Sequence, residues 1–367
     1  PALFLVMPFS APLTATTTYP WKNQNFSDFY NGQLQNVEIS SLGYLHSIQA
    51  LEEFILEKTD TIMTSVKVGD WLYLGTAGSA GITKFHLNKR TFEKIKSFDD
   101  AAVTSIVRVG DSLYAATVPS GKIYKVNLEN DRVTEWVTLS DPYIWELAAT
   151  GDRELLAATG PHGKLFSIDI QSKKSTLKYD TEDENITALA YDQKEETTYL
   201  GTSVSGLLIR LDKKGKAFIL NDFAEREVKD ILLRDGKIYC ATNEFFMTLK
   251  EEEMFMMLNK EMEKRPETEG ANSEGNAEGI GDAGQAQNPA LQPPRTRYSF
   301  SLYVVGLEGQ IEKIFLSTDE YVNRVAVDHA GLIYLTTSPK GRIYKVDAEK
   351  REFFTHRDFN VYGATHV

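Results

Sequence analysis

The sequence predicts an all-β protein, a β-propeller of four-stranded antiparallel blades, six complete plus a partial seventh. Three observations predict it. An aromatic-plus-small motif recurs six times along the 367 residues at a nearly constant period. Between its copies the chain reads as short runs of Val, Ile, Tyr, Thr and Leu bounded by Gly, Pro, Asp or Asn, the pattern of strands and turns. A third phrase, Gly followed by alternating apolar residues, returns as "GKIYKVNL" (121–128), "GKLFSIDI" (163–170), "GLLIRLDK" (206–213) and "GRIYKVDA" (341–348).

The first motif reads "WLYLGT" from 71, "SLYAAT" from 112, "ELLAAT" from 154, "TTYLGT" from 197, "KIYCAT" from 237 and "LIYLTT" from 332. Tyr73, Tyr114, Leu156, Tyr199 and Tyr239 are 41, 42, 43 and 40 residues apart, and Tyr334 follows 95 residues later. An insert at 250–297, within the fifth blade, supplies the excess. Four antiparallel strands per period of this length is the spacing of a propeller blade. One such sheet cannot bury both its faces, but sheets packed face to face around an axis can. The repeated phrases are therefore scaffold, with the Gly of "GKIYKV" taking a turn conformation that a side chain resists.

The ends and the insert depart from the repeat. Residues 25–367 are assigned to the propeller, and residues 1–20 read as the remnant of a secretory signal peptide lacking its basic start. The runs within 31–48 are expected to be outer strands of the seventh blade, with "FNVYGATHV" (359–367) as its inner strand, so that the chain reads as a fragment. In the insert, Glu251 to Lys264 suits a short amphipathic helix. From Pro266 to Pro294 the composition leaves almost nothing to bury and predicts disorder. The insert is expected to leave on the same face as the loops between blades.

Charge and motif content exclude several classes. A formal charge of −12 argues against a nucleic-acid partner, which needs a basic face. The apolar run at the start is too short to span a bilayer, and no other segment is a candidate. Cys240, the sole cysteine, stands where sister copies have Ala and reads as a small buried residue. No phosphate loop, nucleophile elbow or His-Glu-x-x-His occurs, and the six histidines lack ligand spacing, so no metal or cofactor is expected. His162, in the turn "GPHG", reads as a solvated turn residue.

Two sets of residues depart from pure scaffold. The connections between blades carry Asp99, Asp100, Asp141, Asp180, Asp183, Asp222, Asp319 and Asp358, which should crowd one rim. Asp at a turn start bonds local amides, and the summed field would also draw a cation or a basic partner. At the start of the inner strands most copies carry Thr or Ser: Thr64 and Ser65, Thr104 and Ser105, Thr187. Three copies differ, with Trp145 and Glu146, Lys229 and Asp230, Asn323 and Arg324. These six are the candidate ligand site at the channel mouth. Trp145 offers an apolar platform, Glu146 and Asp230 negative charge, and Lys229 and Arg324 a hold on an anionic group. Ion pairing inside the channel is the structural alternative.

The pattern "LYLGT" or "LYAAT", a turn, then "GKIYKVD" resembles the WD-repeat-like and YVTN-like bacterial propellers. The segment "NFSDFYNGQLQNVEISSLGYL" (25–45) is similar to the entry of exported, uncharacterised propellers of that type. The Gly-His and Trp-Asp dipeptides of eukaryotic WD repeats are absent. The resemblance implies a non-enzymatic binding or interaction scaffold of the bacterial envelope, periplasmic or secreted, with a protein or small-molecule ligand on the acidic face. The alternative is a propeller enzyme of the gluconolactonase or quinoprotein-like type, using a metal or cofactor in the central channel; Glu146, Asp230 and Asn323 would be its ligands.

Overall fold

A computed structural model describes residues 36–48, 52, 54–56, 61–246, 297–307 and 309–358. A hairpin of β1 (Val37–Ser40) and β2 (Leu45–Ser47) comes first. Blade one is β3 (Thr61–Val68), β4 (Trp71–Ala77), β5 (Gly81–His86) and β6 (Thr91–Ser97). Blade two is β7 (Ala102–Val109), β8 (Ser112–Val118), β9 (Lys122–Asn127) and β10 (Val133–Thr138). Blade three is β11 (Tyr143–Ala149), β12 (Glu154–Gly160), β13 (Lys164–Asp169) and β14 (Ser175–Asp180). Blade four is β15 (Asn185–Asp192), β16 (Thr197–Ser203), β17 (Leu207–Leu211) and β18 (Ala217–Asp222). Blade five is β19 (Glu227–Arg234), β20 (Lys237–Phe246), β21 (Arg297–Gly306) and β22 (Ile311–Thr318). Blade six is β23 (Tyr321–Val327), β24 (Ile333–Ser338), β25 (Arg342–Asp347) and β26 (Glu352–Asp358). Within each blade the strands pair antiparallel in chain order. The inner strands β3, β7, β11, β15, β19 and β23 pack side by side in that sequence.

The motif residues divide between neighbouring interfaces because side chains alternate across a strand. In β8, Leu113 and Ala115 join the core between blades one and two, while Tyr114 and Ala116 join the core between blades two and three. Three further cores repeat the arrangement around to blade six. The small residue of the motif marks where sheets approach most closely. A Cβ on Gly75 would stand 2.7 Å from Val103 of the next blade. Cys240 is buried in the core between blades four and five, and burial pushes its thiol far above the ordinary range. The expected small buried residue is what the fold contains.

The glycine of the third-strand phrase is required twice over. Gly121, Gly163 and Gly206 have φ of 64°, 54° and 66°. A Cβ there would fall 2.3, 2.1 and 2.0 Å from the carbonyl oxygens of Asp141, Asp183 and Glu225, on the connection to the following blade. The connection thus lies directly over the preceding blade's turn.

At the N-terminal side the structure differs from expectation. Residues 37–47 do not start a blade of their own. β1 pairs with β26, Ile39 opposite Thr355 and Ser40 opposite Phe354, and so lengthens blade six at its outer edge. The reason is a long-range contact: Glu38 is buried there between Lys345 Nζ and His356 Nδ1, the latter at 2.8 Å. β20 and β21 pair from Lys237–Gly306 to Phe246–Arg297, and the insert enters between these second and third strands of blade five. The expected helix and disorder of the insert, the signal segment 1–20 and the strand 359–367 lie outside the described residues. Among the described residues no helix is long and apolar enough to cross a membrane.

Candidate functional site

Every inner strand carries a bulge at the same place. Pairing with the second strand skips one residue between Ile62 and Thr64, Val103 and Ser105, Ile144 and Glu146, Ile186 and Ala188, Val228 and Asp230, and Val322 and Arg324. The skipped residues are Met63, Thr104, Trp145, Thr187, Lys229 and Asn323. A bulge re-aims side chains, and the six candidate mouth residues all fall at or directly after one.

In blades with hydroxyl residues these positions join one blade to the next. Thr64 Oγ1 accepts the amide N–H of Ile106 at 3.2 Å, and Ser105 Oγ accepts that of Leu147 at 3.1 Å. Thr104 and Thr187 donate to the carbonyls of Ile144 and Val228 at 2.5 and 2.8 Å. Asp230 performs the same task with a carboxylate: its Oδ2 accepts the N–H of Val325 at 2.8 Å. Ala188 offers no such group.

Glu146 and Arg324 do something else. Arg324 Nη1 donates to Glu146 Oε2 at 2.7 Å and lies 3.9 Å from Asp230 Oδ1. Glu146 belongs to blade three and Arg324 to blade six, so the pair spans the axis between non-adjacent blades. Burial raises the Glu146 carboxyl above the ordinary range more than Arg324 lowers it. Burial also works against the charge on Arg324, but Glu146 and Asp230 outweigh it and hold the guanidinium protonated. This strut does not fit a divalent metal. Asp230 is committed to two backbone amides, those of Ile231 and Val325, and Glu146 faces a guanidinium. Asn323 turns to Ser338 Oγ at 2.8 Å. Among the described residues no three His, Cys, Asp or Glu side chains are placed to share a metal ion.

The remaining mouth residues are half-buried. Trp145 stacks on Tyr143 with ring centres 5.5 Å apart, and its Nε1 donates to Asn185 Oδ1 at 2.9 Å. Gly160, opposite Tyr143, leaves room for that bond: a Cβ there would fall 1.9 Å from Asn185 Oδ1 and 2.7 Å from the indole nitrogen. Lys229 lies 3.8 Å from Glu227 Oε1, whose other oxygen accepts the Asn243 amide at 2.9 Å. Trp145 and Lys229 therefore do not join the strut, whereas Glu146, Asp230 and Arg324 meet in it.

The rim acids are in large part fastened inside their own blades. Asp100 accepts from Ser120 at 2.9 Å, Asp141 from Thr159 at 2.8 Å, and Asp183 from Ser205 at 2.6 Å. His162, exposed at its turn, keeps Nδ1 3.1 Å from Asp141. Two glutamates that the sequence reading passed over do the same in blades five and six. Glu225 meets Ser301, Tyr303 and Lys313, and Glu320 meets Thr337 and Tyr344. Burial alone would raise the Glu225 carboxyl, but these donors bring it below the ordinary range. Their legible signal is position: Asp100, Asp141, Asp183 and Glu225 each stand four residues before a bulge, and Glu320 three. Asp141 and Asp183 are buried; Asp99, Asp180, Asp222 and Asp319 are exposed. Asp358 closes β26, and its side chain lies outside the description. The insert's base shares this end, for the Arg226 amide bonds Glu244 of β20 at 2.9 Å.

Antiparallel four-stranded units with inner strands side by side fit a β-propeller, and solved structures agree on that fold. The chain is similar to hydrazine synthase of Kuenenia stuttgartiensis, with a TM-score of 0.57 and 12% identity over 83% of this chain and 81% of that one. It is also similar to the extracellular domain of a putative hybrid two-component system from B. thetaiotaomicron, with a TM-score of 0.55 and 14% identity over 80% of this chain and 33% of that one. A third likeness is to the Cps50 (Swd1) β-propeller domain of Myceliophteria thermophila, with a TM-score of 0.50 and 12% identity over 78% and 85%. No protein-family model and no curated protein sequence matches the chain. At these identities the likeness is one of fold alone.

Proposed function

We propose that this chain is a non-enzymatic binding scaffold of the bacterial envelope, periplasmic or secreted, taking its ligand at the mouth of the channel. One observation carries the reading: Arg324, held by Glu146 and Asp230, bars the axis and uses the acids that a catalytic metal would need. What remains for a ligand are the half-buried polar and aromatic groups Trp145, Lys229 and Asn323, suited to recognition rather than bond-breaking. The exposed acids of the connections between blades, Asp99, Asp180, Asp222 and Asp319, would add negative charge to that end in this reading. A protein or small-molecule ligand meets that face in this reading.

Elemental analysis of the purified, dialysed protein tests the choice between scaffold and enzyme. The expected result is no divalent metal in stoichiometric amount. One metal per chain that disappears in Glu146→Gln or Asp230→Asn would return the lactonase-type reading. Location is checked separately, by fractionating cells that express the full-length protein.

The same reading keeps a partial seventh blade between blades six and one, built without the β1–β2 hairpin, which belongs to blade six. Its support is that, among the described residues, β23 and β3 lack the packing that joins consecutive inner strands. End-on electron-microscope class averages should show seven lobes; six evenly spaced lobes would contradict it.

A further inference from the structure

Trp145 is held more firmly than a scaffold position requires. Its counterparts in the other blades are Met63, Thr104, Thr187, Lys229 and Asn323, so no repeat constraint calls for an indole. The ring is half-buried, stacked on Tyr143, hydrogen-bonded to Asn185, and given space by Gly160. The sister positions of Gly160, opposite the first residue of each inner strand, are Ala77, Val118, Ser203, Asn243 and Ser338. A flat apolar side chain fixed in advance at a mouth lowers the entropy lost when something binds to it.

The groups around it narrow the chemistry. Asn185, Thr187, Glu227, Lys229 and Asn323 occupy the outer ends of the next three inner strands and supply planar amide, hydroxyl, carboxylate and ammonium groups. Lys229 is loosely held, 3.8 Å from Glu227 and acting on Glu146 only through space. An aromatic ligand would want apolar cover on both faces, and these neighbours are polar. A strongly anionic ligand would meet Glu227 and the exposed rim acids; a metal ion would meet Arg324. A ring with one apolar face and a hydroxyl-bearing edge satisfies all of them.

Resting on the mouth as the binding site, we infer that it takes the end of a neutral saccharide. One sugar ring stacks its C–H face on Trp145, and its hydroxyls meet Asn185, Lys229 and Glu227. A stacked ring removes apolar area from water on both partners, and the amide and ammonium groups replace the hydroxyls' water contacts.

The test titrates the full chain with neutral hexaoses of glucose, mannose, galactose and xylose, in α- and β-linked forms, following tryptophan fluorescence and heat. At least one should bind saturably with a change in Trp145 emission. Trp145→Ala and Lys229→Gln should each weaken that binding about tenfold or more while retaining the thermal unfolding transition. Gly160→Ala, which removes no proposed contact group, should weaken it as well by displacing Asn185 and the indole. No binding by any hexaose at millimolar concentration overturns the proposal. So does saccharide binding that survives both Trp145→Ala and Lys229→Gln. A peptide or protein ligand lost in Trp145→Ala, with no hexaose bound, overturns the saccharide assignment and leaves the scaffold reading standing. The scaffold reading itself fails only on the metal analysis above.

Discussion

The amide of Leu147 is buried where blades two and three meet, and Ser105 Oγ is the group that satisfies it. Replacing Ser105 by Ala removes only a hydroxyl but leaves a buried donor without a partner, which costs about 1–3 kcal/mol. The expected outcome is a urea midpoint lowered accordingly with an unchanged m-value; an unaffected midpoint would mean that water reaches this amide. Such residues were visible in the sequence as small hydroxyl residues that recur, and the departures from them were visible too. Their partners were not. In the sequence Asp230 reads as negative charge at the mouth; in the fold it substitutes for a hydroxyl by accepting the Val325 amide. Glu225 and Glu320 were hidden because glutamate is not a usual turn opener, and only the position relative to a bulge, itself a feature of pairing, brings them into line with Asp141.

Strand by strand, the third-strand glycines and the small residues of the second strands announced the blades, because each meets a contact that repeats. The β1–β2 hairpin could not be placed in this way. Its attachment depends on one buried carboxylate meeting Lys345 and His356, which are more than three hundred residues away in the chain. Burial alone would raise the Glu38 carboxyl, but those two partners bring it below its ordinary 4.5. A carboxyl depressed in the folded state gives stability that is present above its unfolded value and lost as pH falls through the folded one. Hydrogen exchange at Ile39 and Ser41, whose amides face β26, should therefore accelerate, beyond its intrinsic pH dependence, as pH drops below about 4.5. Glu38→Gln should already exchange faster at pH 7 and show no further acid response. Equal protection in both proteins at pH 7 would place the hold elsewhere. For blade five, Phe246 faces Arg297 at the end of a continuous ladder. Replacing residues 247–296 by Asn-Gly should close a two-residue hairpin there. Circular dichroism should show the same β spectrum and a melting temperature within a few degrees; collapse of the cooperative transition would show that the insert supports the ring.

Across the whole molecule, consecutive blades hold one another through apolar cores, hydroxyl bridges and connections laid over glycine turns, all of them local to one interface. The Glu146–Arg324 pair is different because it links blade three to blade six across the axis. Sequence reading could bring both residues to the axis, since each breaks the repeat at the same place, but could not pair them: the repeat gives a residue's height in a blade and not the reach of its side chain. Breaking such a half-buried pair from one side leaves a poorly compensated charge and costs at most the roughly 3–5 kcal/mol of a fully buried pair. Removing both partners should cost less than the sum. A double-mutant cycle of Glu146→Ala and Arg324→Ala, read by urea unfolding, is thus the most direct measurement of a channel barred by its own charges. A barred channel predicts a favourable coupling of about 1–3 kcal/mol. Additive effects, with no coupling, would mean that the two residues do not meet and that the channel stands open.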